Sequence, residues 1–254
     1  MCGICGCSEA NHDHRDPGQR DHLTAHSHHD GAQGNLVQIE RDIFDKNNQF
    51  AAQNRTYFSK KNTVAINLVS SPGSGKTTLL IKTIEALKDQ VSIAVIEGDQ
   101  QTQLDADRIR ETRVSVLQIN TGNMCHLDAH LIGHAITTMN LQENSILFIE
   151  NVGNLICPAL FDLGEALRVV FLSVTEGDDK PLKYPHIFQH AHAMIINKMD
   201  LLPYVNFDVD KAIRYAQQIN PRIEALQTSA TTEVGLQEWC HWILKQRKNR
   251  DMTE

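Results

Sequence analysis

Short apolar runs alternate with longer polar segments along most of the chain. The runs are rich in β-branched residues and are short, which is typical of buried parallel strands. They span residues 64–69, 93–96, 114–119, 146–149, 169–174, 193–196 and 223–226. The intervening segments have the character of helices, which we expect at 77–87, 126–139, 209–219 and 235–245. This alternation predicts an α/β fold, a doubly wound and mostly parallel sheet with right-handed crossovers.

The N-terminal part of the chain follows a different pattern. Apolar residues at helical spacing predict one amphipathic helix over residues 36–57, and these residues are Leu36, Ile39, Ile43, Phe44 and Phe50. Residues 1–34 contain almost no large apolar side chains and cannot bury enough surface to fold alone. We therefore expect a disordered tail over 1–34. Residues 35–254 show no repeat or linker, and we interpret them as one domain.

Composition narrows the possible partners. The 254 residues include 24 basic and 31 acidic side chains, a formal net charge of −7. A negative chain is not attracted to nucleic acid or to an anionic membrane surface, so we expect neither as a partner. No apolar run approaches the roughly 20 residues that span a bilayer, and the N-terminus lacks the cationic start of a secretory signal. We expect a cytoplasmic protein.

A glycine-rich segment, SSPGSGKTT at residues 70–78, lies between the first predicted strand and the following helix. In such a loop consecutive backbone N–H groups bind phosphate oxygens at a helix N-terminus. Lys76 is expected to reach the outer phosphates and Thr77 to ligate Mg²⁺. Ser70 replaces the first glycine of the usual motif, at the strand end away from the phosphates. The predicted nucleotide-binding residues are Gly73, Ser74, Gly75, Lys76, Thr77 and Thr78.

A second motif, NKMD at residues 197–200, follows the predicted strand 193–196. The carboxylate of Asp200 can accept hydrogen bonds from the ring N–H and the amino group of guanine, whereas adenine would present an acceptor to it. Asn197 can meet the other edge of the base, and the stem of Lys198 can cover the ring. Downstream, Ser229 and Ala230 resemble the last guanine-contacting loop of GTPases. These elements favour GTP over ATP.

Two strand ends carry carboxylates suited to Mg²⁺ or to an attacking water. Glu150 ends one apolar strand, and Gly153 follows three residues later, where its N–H can contact the terminal phosphate. Glu97 and Asp99 offer a second carboxylate pair, in which Asp99 is the candidate for either role, although both residues could instead cap the next helix. The predicted catalytic residues are Lys76, Asp99, Glu150 and Gly153.

The first seven residues place three thiols close together. Cys2, Cys5 and Cys7 can surround one ion, and the amine of Cys2, once Met1 is removed, could be a fourth ligand. An amine with three thiolates suits square-planar Ni²⁺, while Zn²⁺ and Cu⁺ also favour thiolates. A redox pair is the alternative, but redox CxxC motifs usually lie at a helix start within a fold. Six of the thirteen histidines fall in the first 30 residues and suit weak metal buffering.

Three further potential ligands follow strands at the nucleotide-binding edge of the predicted sheet. Cys125 and His126 begin the predicted helix 126–139, and Cys157 follows the Glu150 strand. Either cysteine alone is more often a buried small residue, but together the three form a plausible second metal site. His130 and His134 continue the four-residue spacing of His126, and we interpret them as part of a solvated helix face.

These motifs together resemble the HypB family of hydrogenase nickel-incorporation GTPases. The matching segments are CxxCxC, SSPGSGKTT, the EGD loop, Cys125-His126 with Cys157, IENVGN, TEGDDKPLKYP and NKMDLLPY. The resemblance implies a P-loop NTPase of the signal-recognition and MinD-like branch that dimerises with GTP. It also implies delivery of Ni²⁺ to the [NiFe]-hydrogenase large-subunit precursor, together with a nickel-insertion accessory protein.

The resemblance implies that the two metal sites have different affinities for nickel. It implies a tight nickel site at Cys2, Cys5 and Cys7, and a weaker, nucleotide-sensitive site for nickel or zinc at a dimer interface, formed by Cys125, His126 and Cys157. No arginine finger is identifiable, so we expect slow intrinsic hydrolysis.

Three other functions compete with this interpretation. A urease accessory GTPase would share the fold, but the CxxCxC tail argues against it. A P-loop small-molecule kinase is disfavoured by the NKMD motif. A nickel-sequestering protein with a vestigial nucleotide site is disfavoured by the intact Lys76, Thr77, Asn197 and Asp200.

Overall fold

The computed structural model describes the backbone of residues 30–251 and the side chains of residue 38 and residues 41–249. Residues 1–29, which include the predicted ligands Cys2, Cys5 and Cys7, lie outside the described residues. Residues 30–34, which were expected to belong to the tail, instead begin the first helix at Asp30. No helix in the described part of the chain is both long enough and apolar enough to cross a bilayer.

A seven-stranded sheet forms the centre of the described part, and its paired strands are all parallel. The order across the sheet is β3-β2-β4-β1-β5-β6-β7. The central strands are buried on both faces, which explains their continuous apolar runs, while β3 and β7 are partly exposed edges. The strands are β1 Val64–Ser70, β2 Ile93–Asp99, β3 Ser115–Asn120, β4 Ile146–Glu150, β5 Leu167–Ser173, β6 Ala193–Asn197 and β7 Glu224–Gln227. The predicted doubly wound α/β fold is confirmed.

Helices cover both faces of this sheet. A 3₁₀ helix over Met199–Tyr204 also follows β6. The α-helices are α1 Asp30–Lys60, α2 Lys76–Leu87, α3 Leu104–Arg110, α4 Ala129–Met139, α5 Cys157–Leu160, α6 Lys180–Lys183, α7 Pro185–Gln189, α8 Val209–Ile219 and α9 Leu236–Asp251. The predicted helix 36–57 lies inside the longer α1. The pattern missed α3 and α5–α7 because these helices are short and partly exposed.

The prediction of a helix starting at residue 126 is wrong. Asp128 has an extended backbone, and its side chain accepts a hydrogen bond from the Leu131 N–H at 2.8 Å. This N-cap fixes the start of α4 at Ala129. Cys125 and His126 therefore lie in the loop before the helix.

Two buried asparagines dock α1 against the start of α4. Asn54 donates from Nδ2 to the carbonyl oxygens of Ala129 and Leu163, at 2.8 and 3.0 Å. Asn47 accepts from the Ala129 N–H at 2.9 Å and donates to the Asp162 carbonyl at 2.8 Å. These bonds satisfy backbone groups that would otherwise be buried without partners. Helix α1 thus positions the loops that precede α4 and β5.

Candidate functional site

The phosphate loop lies at the carboxyl edge of the sheet, between β1 and α2. Gly73 and Gly75 have positive φ angles of 72° and 89°, which favour glycine. A Cβ atom on Gly75 would lie 2.5 Å from Nδ2 of Asn197, so any side chain there would clash. The loop borders a cavity of about 550 Å³, whose lining includes every predicted phosphate-binding residue from Gly73 to Thr78.

Lys76, Thr77 and Glu150 meet inside this cavity. Thr77 donates from Oγ1 to Oε1 of Glu150 at 2.6 Å, and Nζ of Lys76 lies 3.3 Å from the same oxygen. Lys76 also donates to the carbonyl oxygen of Asn151 at 2.7 Å. The other carboxylate oxygen of Glu150 is buried and has no hydrogen-bond partner among the described residues. A threonine hydroxyl beside an unpartnered carboxylate oxygen fits the oxygen-ligand preference of Mg²⁺.

Glu97, the other member of the carboxylate pair with Asp99, lines the same cavity. It pairs with Glu150 across β2 and β4, is only 2% exposed, and its Oε2 has no partner among the described residues. Burial, and then the charge of Glu150, raise the pKa of Glu97 from 4.5 to about 8. The signal in the sequence was its strand position, two residues before Asp99 on the same face.

Asp99 lies at the end of β2 and also lines the cavity. Its Oδ1 accepts hydrogen bonds from the backbone N–H groups of Gln101 and Thr102, at 2.7 and 2.8 Å. Burial acts to raise the pKa of Asp99, but these hydrogen bonds outweigh it and lower the pKa. Asp99 does not cap α3, whose N-cap is Gln103. The carboxylate is held ionised by the loop beside the phosphate loop.

Gly153 lies against the phosphate loop. A Cβ atom at Gly153 would lie 3.0 Å from Cα of Pro72, so a larger residue would press on the loop.

Two cationic side chains near the phosphate loop were not predicted from the sequence. Arg108 lines the cavity and donates to Oγ1 of Thr78 at 3.3 Å, and Lys180 donates to Oγ of Ser71 at 3.0 Å.

The predicted base-binding residues form a hydrogen-bonded group at the end of β6. Asn197 donates to the Ser74 carbonyl at 2.9 Å, and Lys198 donates to the Gly73 carbonyl at 2.7 Å. Asp200 accepts from Oγ of Ser229 at 2.5 Å, which orients the carboxylate. Ala230, the next residue, is buried. The NKMD segment is therefore joined to the phosphate loop on one side and to the loop after β7 on the other.

Cys125, His126 and Cys157 converge in space, although 32 residues separate the two cysteines in sequence. Their ligand atoms all lie within 4.8 Å of one another, and the two Sγ atoms are 2.7 Å apart. Burial lowers the pKa of His126, although Asp128 acts in the opposite direction, and the neutral imidazole is the form that binds metals. The ring of His126 stacks on Phe161, with centroids 4.0 Å apart. Two thiols and an imidazole suit Ni²⁺ or Zn²⁺.

Asn151 joins this metal-ligand group to the phosphate loop. Its carbonyl accepts from Lys76, and its Oδ1 accepts from the N–H of Leu127, the residue after His126, at 3.1 Å. Asn154 donates to the Cys125 carbonyl at 3.4 Å and accepts from the Ile156 N–H at 2.8 Å. One segment therefore contacts both sites.

The comparisons with known proteins agree with this geometry. Residues 64–227 match the family described as CobW/HypB/UreG, nucleotide-binding domain. The hydrogenase maturation factor HypB of Escherichia coli K12 is 55% identical over 227 residues, which cover 89% of this chain and 78% of that protein. This chain belongs to the HypB family.

Solved HypB structures support the same assignment. HypB from Helicobacter pylori in complex with nickel is 39% identical, with a TM-score of 0.77, and the match covers 81% of this chain and 96% of that one. HypB from Archaeoglobus fulgidus is 41% identical, with a TM-score of 0.75, covering 80% and 99%. The predicted resemblance to HypB is confirmed, and it argues against the small-molecule kinase alternative.

Proposed function

We propose that this HypB-family chain is a GTPase that binds Ni²⁺ as cargo and helps to insert it into the [NiFe]-hydrogenase large-subunit precursor. The proposal rests on the position of one segment, from Asn151 to Cys157. It contacts Lys76 of the phosphate loop and also carries one of the three converging metal ligands. Support also comes from the relatives, which are named as hydrogenase maturation factors and include a HypB solved with nickel.

GTP is the proposed nucleotide. The carboxylate of Asp200, oriented by Ser229, can accept two hydrogen bonds from guanine and none from adenine. Asn197 and Lys198 are bonded to the phosphate loop, so the base and the phosphates are recognised by one connected group of residues.

Hydrolysis to GDP and phosphate is assigned to the cavity beside the phosphate loop. Mg²⁺, held by Thr77 and by Glu150 directly or through water, would neutralise charge on the β- and γ-phosphates. Lys76 adds a positive charge at the outer phosphates, and Asp99 is in place to orient a water. The Gly153 N–H can donate to the terminal phosphate. Arg108 also lies on this side of the loop, but its guanidinium is hydrogen-bonded to Asp105 and Thr78. Because its charge is engaged there rather than at the phosphates, we expect slow GTP hydrolysis.

Nickel is proposed to pass through two sites. Cys2, Cys5 and Cys7 would hold it tightly, as the resemblance to HypB implies. Cys125, His126 and Cys157 would hold Ni²⁺ more weakly, with Zn²⁺ as the alternative ion. Asn151 is hydrogen-bonded both to Lys76 and to Leu127, the residue after His126. A nucleotide that changes the position of Asn151 would therefore change the nickel affinity of the weaker site.

The partners follow from this role. We propose a GTP-dependent homodimer whose interface includes the weaker metal site. A nickel-insertion accessory protein and the hydrogenase large-subunit precursor are the proposed further partners, in the cytoplasm, with no role for nucleic acid or membrane.

The substitution Lys76→Ala tests the proposal against simple nickel sequestration. Removing the ammonium should abolish GTP hydrolysis and nickel transfer to the precursor, while the full chain still binds Ni²⁺. Lys82→Ala is the matched control, because Lys82 lies on the same helix α2 and pairs with the exposed Glu233. Undiminished nickel delivery by Lys76→Ala would favour sequestration and contradict the GTPase proposal.

A further inference from the structure

A buried ion pair contacts the chain just after Cys157. Nη2 of Arg168, on β5, lies 2.6 Å from Oε1 of Glu165, and Nε of the same guanidinium donates to that oxygen at 2.9 Å. The two side chains are only 8% and 5% exposed. A buried ion pair does not by itself stabilise a fold, because the desolvation of both charges offsets their attraction. The other hydrogen bonds of the pair indicate what it does.

The remaining bonds of Arg168 reach the backbone that follows Cys157. Nη2 also donates to the carbonyl oxygen of Phe161 at 2.9 Å, and Nη1 makes a longer bond of 3.5 Å to that of Ala159. Ala159 belongs to α5, the short helix that begins at Cys157, and the ring of Phe161 stacks on His126. One guanidinium therefore holds the chain between one predicted metal ligand and the residue that packs against another.

Glu165 extends the hydrogen bonds toward the phosphate loop. Its Oε1 accepts from Nδ2 of Asn67 at 3.2 Å, and Oδ1 of Asn67 lies 3.4 Å from the donating Nδ2 of Asn151. Asn151 in turn accepts from the N–H of Leu127. Asn67 and Arg168 occupy paired positions on β1 and β5, so the bonds start from two central strands. The ion pair is thus connected to both loops that carry the predicted ligands.

We propose that Arg168 and Glu165 are positioning residues for the metal-ligand group of Cys125, His126 and Cys157. This inference rests on the proposed function, because it takes that group as a nickel site. The guanidinium is a rigid planar fork, which holds the carbonyls of residues 159 and 161 at fixed places relative to β5. It thereby fixes α5, which carries one ligand, and the aromatic ring that orients another. Replacing residues that orient metal ligands typically lowers metal affinity by roughly 10–100-fold.

The main test removes both charges of the pair together. Replacing Arg168 alone by an apolar residue would leave a buried carboxylate unpaired, which strongly destabilises a fold. Glu165→Gln/Arg168→Met avoids this, keeps an amide oxygen for Asn67, and removes the donors to the two carbonyls. In Ni²⁺ titrations of the full chain with GDP, the weaker nickel affinity should fall about tenfold or more. The tight nickel affinity and the affinity for GDP should stay at the wild-type values.

Two further variants separate positioning from a general effect on the fold. Arg168→Lys keeps the charge and can donate to one of the carbonyls, so it should lose less nickel affinity than the double variant. Arg55→Met is the matched control, because Arg55 is exposed and pairs with the carboxylate of Asp162 in the same stretch of chain. It should keep both nickel affinities of the wild type.

A metal-free measurement tests the positioning directly. The stacked Phe161 ring shifts the NMR signals of the His126 ring, since the two centroids are 4.0 Å apart. These signals should move in Glu165→Gln/Arg168→Met, move less in Arg168→Lys, and keep their wild-type positions in Arg55→Met. Thermal unfolding shows whether each variant is folded. If the double variant is not, Arg168→Lys must still change both the weaker nickel affinity and the His126 signals.

Wild-type His126 signals and wild-type nickel affinity in the folded double variant would overturn the proposal. Both results in Arg168→Lys would do so if the double variant does not fold. An equal loss of nickel affinity in Arg55→Met would also overturn it, because any contact with this stretch of chain would then have the same effect. A wild type without a second nickel affinity would contradict the proposed function instead, and the metal-free His126 signals would then decide the positioning.

Discussion

Glu97 and Glu150 occupy paired positions on β2 and β4, and both carboxylates border the nucleotide cavity. Two buried carboxylates this close cannot both ionise at low cost, and burial of Glu97 adds to the penalty. Glu150 has Thr77 and Lys76 as partners, whereas Oε2 of Glu97 has none among the described residues. The proton therefore stays on Glu97 at neutral pH.

Because Glu97 keeps its proton in the folded state, we predict that the stability of the fold depends on pH. The pKa of Glu97 is about 8 in the folded state and 4.5 without the fold, so the folded chain binds the extra proton between those values. Its free energy of unfolding should fall as the pH rises from about 5 to about 8, by about 3 kcal/mol from this group. Glu97→Gln should match the wild type near pH 5 and be the more stable protein near pH 8. Chemical denaturation without nucleotide or Mg²⁺ measures this.

The control for this measurement is Glu238→Gln, which changes an exposed carboxylate on α9. It should keep the pH profile of the wild type. A constant stability difference between Glu97→Gln and the wild type across this pH range would contradict the assignment of the proton to Glu97.

Helix α1 supports the loop that carries the candidate metal ligands Cys125 and His126. Asn54 and Asn47 bond to both backbone groups of Ala129, the first residue of α4, and to the segment that precedes β5. These bonds hold the end of the loop that carries Cys125 and His126. The amphipathic pattern predicted the helix, but no local pattern indicates which buried carbonyl an asparagine will reach.

Asn54→Ala should therefore destabilise the fold. It leaves the carbonyls of Ala129 and Leu163 buried without these partners, at a cost of about 2–3 kcal/mol. Denaturant unfolding measures the loss. Gln53→Ala, at the neighbouring exposed position of α1, should change stability little. Equal stability of the two variants would show that α1 docks without the asparagine bonds.

The whole molecule combines motifs that the sequence reveals with contacts that it does not. The phosphate loop, NKMD and the parallel strands follow from local patterns, because turn chemistry and burial act over a few residues. The sheet order places β4 beside β1 and thereby brings Glu150 to Thr77 and Cys157 near Cys125. Asn151 and Arg108 were not selected, because their roles depend on neighbours that are distant in sequence.

Asn151 is the residue through which we expect the two sites to communicate. Asn151→Ala removes the acceptor of the Leu127 N–H, and so should weaken the effect of nucleotide on Ni²⁺ affinity at the Cys125, His126 and Cys157 group. Asn151→Asp keeps an oxygen acceptor at the same place and should restore part of the effect. Ni²⁺ titrations of each variant with GDP and with a slowly hydrolysed GTP analogue measure it. Equal coupling in Asn151→Ala and the wild type would contradict this role.

The central claim is that one chain couples GTP binding to nickel binding. The most direct test is a Ni²⁺ titration of the wild type, monitored by thiolate-to-metal absorption and mass, with GDP and with the slowly hydrolysed analogue. We predict two affinities, of which the weaker changes with the nucleotide together with the oligomeric state. Ni²⁺ should then change the affinity for the analogue relative to GDP by the same factor. A single nickel affinity that is indifferent to nucleotide would contradict the account.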